Sequence, residues 1–429
     1  MRKLLELMLR VLARGVIKKY DPEVVGVTGS IGKTSSKEAI VRVLSAKYAV
    51  RGSIRNYNNE LGLPLTILGL NSPGRSWAGW LSVLIQGIKL LMFIDKDYPE
   101  VLVLEMGVDK PGDMDYLLSI VQLKAAVLTY VGTSHMEQFG TTAKLREEKA
   151  KIFNGLDRSG YAIINLDFPE ADKIVEGAKN KVLTYGFAEE AEIRAQNIIY
   201  RFQDEEAASL GGVNFKIHYK DSYIPVLIPA VIGHPTIYAA LAGAAVGFAF
   251  GLNGIEISEA LRAMEPPKGR LHLIAGKNGS MIIDDTYNAA PQSTLAALEV
   301  LDSIKQPAIC TKWVVLGDML ELGSESEKGH SEIGQRVADI AKARLLYIGK
   351  QAHYYGMGAR KAEMAEERIQ AFNNHQEVIE YLEIHLKPHD LVLVKGSQGM
   401  RMEKIVKALM AEPQTAGEQL VRQGADWQN

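Results

Sequence analysis

Cysteine is almost missing from this chain. Cys310 stands alone, so no internal disulfide can form and a reducing, cytoplasmic setting is the natural reading. An excess of either charge is missing too, since 49 Lys and Arg meet 51 Asp and Glu for a formal net charge of -2. That balance argues against a nucleic-acid binder, because nothing in it neutralises a long run of phosphates. No internal repeat and no low-complexity segment occurs. The N-terminal stretch MRKLLELMLRVLARGVIKKY lacks the unbroken apolar core and small-residue cleavage site of a signal peptide. Its apolar residues recur at helical spacing with Lys and Arg between them. This predicts an amphipathic helix over 1–20, packed either on the domain that follows or on a membrane surface.

Long apolar runs are nearly absent as well. The exception is WAGWLSVLIQGIKLLMFI, residues 77 to 94, which only Gln86 and Lys89 interrupt. Its length is marginal for a membrane span, so the expectation is a buried or interfacial helix that contacts either protein or a membrane. The expected location is therefore the cytoplasm, with the inner membrane surface as the alternative. What the chain does have is bulk: 47% apolar and 23% charged residues over 429 positions. Those figures describe a globular protein of two or three domains.

The chemistry starts at VVGVTGSIGKTSSKEAI, residues 24 to 40. A β-branched strand runs into a Gly-rich turn and then a helical pattern, which aims several backbone N–H groups and a helix dipole at one spot. Phosphate fits there. Val27 stands where a full-length phosphate loop would have its first glycine, so the usable motif is the shortened Gly29-Ser30-Ile-Gly32-Lys33-Thr34. Lys33 reaches outer phosphates as a point charge, and the hydroxyl of Thr34, followed by Ser35, is placed to hold Mg2+.

Strand-like runs recur at 101–107, 125–132, 161–167 and 181–187, with helical stretches between several of them. This rhythm implies parallel pairing. The segment 231–252 is rich in small residues and is read as a helix buried inside a domain, with a membrane helix as the alternative. At MEPPKGR, 264 to 270, two prolines mark a boundary. Beyond it the rhythm restarts as MIIDDTYN, KWVVLGDM, RLLYIGK and DLVLVKGS, with helices expected from Pro291 and His330 and after the last two runs. The predicted fold is α/β: a central P-loop ATPase domain over 21–266 with a mostly parallel sheet and an apolar insertion at 71–98, then a Rossmann-like doubly wound domain over 267–412. The remainder, 413–429, reads as a loose tail.

Candidate site residues collect at strand ends, where open α/β sheets bind ligands. Glu105 closes the strand VLVLE and is either a Mg2+ ligand or a solvated strand-end acid. His135, just past another strand end, is a metal ligand or a structural histidine. Lys149 lies close to the apolar face of its helix; held neutral there it can react with CO2 to give a carbamate, a carboxylate-like metal ligand, or it is an ordinary surface lysine. In the second domain Asp284 and Asp285 precede Thr286-Tyr287-Asn288 and offer carboxylates and amides to a ribose or base. Lys395-Gly396-Ser397 is suited to a substrate carboxylate. Each of these has a plain loop-surface alternative.

From about residue 23 to 410 these pieces, in order, resemble the Mur ligase superfamily. The matching motifs include TGSIGKTSSKE, NYNNELGLPLT at 56–66, LEMGVDKPGDM at 104–114, SHMEQFG, EEKAKIF, KGRL, IIDDTYNAAPQST, VLGDMLELG and LVKGSQGMRMEKIV. The resemblance implies an ATP-dependent amide ligase of peptidoglycan precursor synthesis that joins D-alanyl-D-alanine to UDP-muramoyl tripeptide through an acyl phosphate; a monomer is expected. By the same resemblance Gly29, Ser30, Gly32, Lys33, Thr34 and Ser35 hold ATP, with Arg270, Asp285 and Asn288 on the nucleotide. Thr34 and Glu105 serve one Mg2+, and His135 with a carbamylated Lys149 a second. Asn58, Asn59, Asp318, Lys395 and Ser397 face the substrates.

Three departures stand against the resemblance. The family carries a separate N-terminal domain that grips the UDP-sugar, whereas about twenty residues precede the loop's strand here. Residues 71–98 replace a short loop. Tyr238 stands where the family has an Asn, Pro235 follows His234 in the same motif, and Gln398 replaces an Arg. Two alternatives follow: a Mur-type ligase with a different carboxylate donor or amine acceptor, as in folylpolyglutamate synthase, and a non-catalytic nucleotide-binding scaffold.

Overall fold

The computed structural model describes residues 2–53, 57–132, 136–201, 211–264, 267–304 and 310–424. The chain forms two compact units. The first takes in Met1–Ile198, Phe215–Leu227 and Pro235–Met264, and the second Ile199–Asn214, Ile228–His234 and Glu265–Asn429.

The first unit is built on strands β1 (Glu23–Thr28), β2 (Val50–Gly52), β3 (Val101–Glu105), β4 (Leu123–Leu128), β5 (Leu156–Asn165) and β6 (Lys181–Gly186), with the larger parts of β7 (Ile193–Arg201), β8 (Gly212–Tyr219) and β9 (Ser222–Pro229), whose residues 199–201, 212–214 and 228–229 are counted with the second unit. Their order is β2-β3-β1-β4-β5-β6-β7-β8-β9. From β2 to β7 the neighbours pair in parallel. Every residue of β3 is buried, and β1 is buried after its first residue. Burial on both faces explains why these strands read as unbroken apolar runs. Helix α1 (Arg2–Tyr20) lies on this unit through Leu9, Leu12, Ala13 and Val16. Helix α2 (Lys33–Leu44) follows the phosphate loop, α3 (Gly62–Leu68) is wholly buried, and α4 (Trp77–Met92) occupies the apolar insertion. No helix among the described residues is long and apolar enough to cross a membrane. The small-residue segment forms the helix His234–Ala249, almost entirely buried along its middle. Gly243 and Gly247 let it approach α2, since a Cβ on either would press on Ala39 or Val43.

The second unit holds β10 (His272–Ala275), β11 (Met281–Asp285), β12 (Lys312–Gly317), β13 (Ala343–Ile348), β14 (Ile369–Phe372) and β15 (Leu391–Lys395), in the order β10-β11-β15-β12-β13-β14. Only β10 runs antiparallel to its neighbour. Successive side chains go to opposite faces of a strand, and two cores result. Ile283, Val314, Leu345 and Leu393 enter one, while Ile282, Val315, Leu346 and Val394 enter the other. Helices cover both faces, which is the doubly wound arrangement expected.

The loose tail expected over 413–429 is corrected for its described part, 413–424. Ala416 and Leu420 are buried in the second of these cores, and Arg422 is ion-paired to the buried Glu403. Two apolar side chains and one cation at suitable spacing are enough to dock a segment whose composition is polar. The helix expected from His330 starts earlier, at Ser326.

Candidate active site

The phosphate loop leaves β1 at Thr28 and enters α2 at Lys33. Gly29 has φ 153° and Gly32 φ 86°, and a Cβ on Gly29 would fall 1.9 Å from Thr129 Oγ1. Only glycine fits both backbone shapes here. The loop is held from the β4 side: Ser30 N–H donates to Tyr130 O at 2.7 Å, and Thr129 Oγ1 donates to Ile31 O at 2.7 Å. Lys33 Nζ folds back over the loop and donates to Gly29 O at 2.8 Å and Ser30 O at 3.3 Å. Ser35 lies in the first turn of α2. The hydroxyl of Ser30 is buried without a hydrogen-bond partner, an acceptor and donor held ready at the loop.

Parallel register sets Val27 beside Glu105, so the end of β3 meets the start of α2. Thr34 Oγ1 donates to Glu105 Oε2 at 3.0 Å, and Asn58 Nδ2 donates to Glu105 Oε1 at 3.1 Å. The backbone N–H of Glu105 donates to Ser53 Oγ at 3.0 Å. Glu105 is buried and therefore not the solvated acid that was its alternative. A hydroxyl and a carboxylate held together beside a phosphate loop suit Mg2+, which takes one or two protein oxygens and keeps phosphate and water for the rest.

Lys149, on the helix Thr142–Ala150, is 1% exposed, which removes the surface-lysine reading. Its Nζ donates to Gly29 O at 3.1 Å. Burial, then the nearby charge of Lys33, pulls its ammonium pKa down to about 7. His135 lies outside the described residues. Among the described residues no group of three or more His, Cys, Asp and Glu is arranged to hold a metal. Asn59 is used locally: its Oδ1 accepts the N–H groups of Leu61 and Gly62 at the start of α3.

In the second unit the predicted residues also converge. Lys395 Nζ, on a side chain 2% exposed, donates to Asp285 Oδ2 at 2.6 Å and to Asn288 O at 2.9 Å. Ser397 Oγ donates to Ala289 O at 3.2 Å and accepts from Leu320 N–H at 2.8 Å. Gln398 N–H donates to Asn288 Oδ1 at 3.4 Å. The Arg270 guanidinium sits 4.2 Å from the Tyr287 ring centroid, a cation–π contact. Asp318 is committed elsewhere, since its carboxylate accepts the N–H groups of Lys350 and Gln351 at 2.9 and 3.0 Å. Asp284 is fully buried; burial pushes its carboxyl up to about 7, although Oδ1 accepts from Thr286 Oγ1 at 2.6 Å.

Several participants were not singled out from the sequence. Lys37 follows Lys33 by one helical turn, the signal available for it, and donates to Ser53 O at 2.5 Å. His330 is buried and accepts the Met319 N–H through Nε2 at 3.0 Å, with Nδ1 on Ser326 O, so it fixes the turn after β12. Arg422 donates to the carbonyls of Thr286 and Tyr287 and to Glu403 Oε2. It ties the C-terminal segment to the loop that carries Asp285 and Asn288. No local pattern could have shown that.

A phosphate loop with a paired hydroxyl and carboxylate, and a separate doubly wound unit with its own polar cluster at the strand ends, define a nucleotide-dependent phosphoryl-transfer protein. Residues 27–76 and 84–247 match the Mur ligase middle domain, and residues 269–398 the Mur ligase glutamate ligase domain. The chain belongs to the Mur ligase family. It is 31% identical over 94% of its length to UDP-N-acetylmuramoyl-tripeptide--D-alanyl-D-alanine ligase of Bacillus subtilis, covering 79% of that protein. The Escherichia coli ligase of the same name is 29% identical over 93% of the chain, with 79% of it covered. The crystal structure of the MurF ligase of Thermotoga maritima in complex with ADP superposes with a TM-score of 0.76 at 26% identity, over 96% of this chain and 84% of that one.

Proposed function

We propose that this Mur ligase adds D-alanyl-D-alanine to UDP-N-acetylmuramoyl-tripeptide with cleavage of ATP. The observation that carries the ligase chemistry is the single cluster of Lys33, Thr34, Glu105 and buried Lys149 around the Gly29 loop. The substrates rest on the ligases it matches along nearly its whole length. A peptide carboxylate oxygen bonds to the γ-phosphorus of ATP as ADP leaves, giving an acyl phosphate. The dipeptide amine then attacks the acyl carbon, loses a proton, and expels phosphate. Positioning and charge neutralisation supply the rate.

The chain's own groups divide that work. The loop N–H groups and Lys33 hold the outer phosphates, and Asn58 and Ser53 fix Glu105. Thr34 Oγ1 and Glu105 would hold Mg2+, which would supply neutralisation of phosphate charge. The neutral fraction of Lys149 could add CO2, forming an Nζ–C bond and releasing a proton, and Lys149 as a carbamate would, with His135, hold a second metal. Arg270, Asp285 and Asn288 bind the nucleotide in this reading and Ser397 faces the substrates, while Asn58, Asn59 and Asp318 act through the structural hydrogen bonds they already make and Lys395 through its ion pair with Asp285. The enzyme is a cytoplasmic monomer in this reading. Tyr238 and Gln398, at two positions where the family pattern differs, favour one alternative, a Mur-type ligase with a changed acceptor.

The test is mass spectrometry of purified protein incubated with ATP, Mg2+, UDP-muramoyl tripeptide and D-alanyl-D-alanine. A pentapeptide product with matching ADP is expected. ADP release without that product shifts the reading to a different donor or acceptor, and neither product nor ADP from folded, ATP-binding protein overturns it.

A further inference from the structure

α1 and α4 pack side by side and run parallel. Leu12 meets Gly87, and Gly15 meets Leu91, each at 3.0 Å from where a glycine Cβ would stand. Lys19 Nζ donates to Leu90 O at 2.7 Å and Tyr20 Oη to Phe93 O at 3.1 Å, which seals the end of α4. Each helix has an inward apolar stripe, as a surface helix should. Each also has a second, outward one. On α1 it is Leu4, Leu7, Met8 and Val11; on α4 it is Trp77, Leu81, Ile85, Ile88 and Met92, continued by Phe93 and Ile94, with exposures from 42% (Met8) to 80% (Ile94). At 100° per residue, the Leu12–Gly87 and Gly15–Leu91 contacts turn both outward stripes to the same side, away from the core. So many exposed large apolar side chains gathered on one side of two packed helices mark a docking site.

Charge says what docks. Residues 1–20 and 71–98 together hold nine Lys and Arg against three Asp and Glu, a net +6 in a chain of net -2, so the remainder is -8. The outward stripe of α1 itself continues into Arg14 and Lys18, both exposed and without an anionic partner among the described residues. α4 has 16 residues, roughly 24 Å, too short to span a hydrocarbon core of about 30 Å. The family patterns begin at 27 and skip 77–83, so all of α1 and the first half of α4 lie outside them. Two parallel helices with coplanar apolar stripes, basic residues at both ends of α1 and a tryptophan at the start of α4 have the make-up of an interfacial anchor.

We infer that the paired outward faces of α1 and α4 dock this protein onto a phospholipid bilayer that carries anionic headgroups. The apolar stripes enter the acyl boundary while Arg14, Lys18 and their neighbours meet the phosphates. This goes beyond the ligase reading and stands or falls without it.

Flotation of the whole chain with unilamellar vesicles tests it. Wild type should float with vesicles of seven parts phosphatidylcholine to three parts phosphatidylglycerol and stay behind with phosphatidylcholine alone. The triple variant L81E/I85E/I88E changes only exposed side chains, so its melting temperature and ATP affinity should hold while partition falls at least about tenfold. R14Q/K18Q should weaken partition by roughly 25-fold, at about fivefold per cation. Absence of wild-type binding to the anionic vesicles overturns the inference, as does undiminished flotation of the triple variant. A wild-type dimer in vesicle-free solution that the triple variant abolishes overturns it too, because the face then belongs to a second copy.

Discussion

Lys149→Met keeps the length and apolar stem of the side chain and removes its amine. In the unfolded chain lysine has a pKa of 10.5, while the folded amine keeps its proton only below about 7. Between these values unfolding takes up a proton, so stability rises as pH climbs from 7 toward 10.5. Below 7 the full penalty of a buried ammonium stands, on the order of 5 kcal/mol for a displacement produced by burial and then by the charge of Lys33. The variant loses a hydrogen bond to Gly29 O at 3.1 Å, worth about 1 kcal/mol, and escapes that penalty. In CO2-depleted buffer it should therefore be the more stable protein at pH 6, by a few kcal/mol. Between pH 6 and pH 9 wild type should gain roughly 3 kcal/mol from this one group while the variant gains none. Urea unfolding of both proteins at the two pH values, followed by the signal of the ATP-binding unit, measures the difference. Ligation by the variant should be abolished with ATP binding nearly intact. Equal pH dependence of the two proteins would falsify the buried neutral amine, and unchanged turnover would remove its role in the reaction.

Thr34→Val removes the hydroxyl that donates to Glu105 at 3.0 Å; affinity for Mg2+-ADP should fall about 10- to 100-fold with metal-free ADP binding unmoved, read by titration calorimetry. Asp285→Asn leaves the Lys395 ammonium, on a side chain 2% exposed, without its partner. A loss of about 3–5 kcal/mol is expected, and the D285N/K395M pair should recover most of it in a thermal melt. Arg422→Ala frees the carbonyls of Thr286 and Tyr287 and should raise KM for ATP severalfold with kcat changed less; a kcat loss with KM unchanged refutes the tethering role.

Legibility from the sequence followed the range of the interaction. Buried parallel strands such as β3 and β15 read as apolar runs because both faces are covered. β2 has three residues and β14 four, too few for any periodicity to register. β8 does alternate, with Val213, Phe215 and Ile217 buried, a period-two signal that was there to be read. At the site, Lys33 and Thr34 follow from one local turn, and Glu105 from its place at a strand end once β1 and β3 are parallel neighbours.

The rest depends on closures that no window of sequence contains. Whether Lys149 is a surface or a buried lysine turns on the loop 120 residues away that covers it, since a single helix position near an apolar edge is compatible with both. Asp285 and Lys395 can be listed separately as ribose and substrate ligands, but 110 residues separate the two halves of what is one buried ion pair. α4 shows the same limit from the other side. Its hydropathy is high all round, so composition cannot tell the stripe that packs on α1 from the stripe that faces out; only the contacts of Gly87 and Leu91 separate them. A helix apolar on two faces is therefore recognised as unusual from sequence. Which face lacks a partner, and hence where to look for one, is a property of the fold.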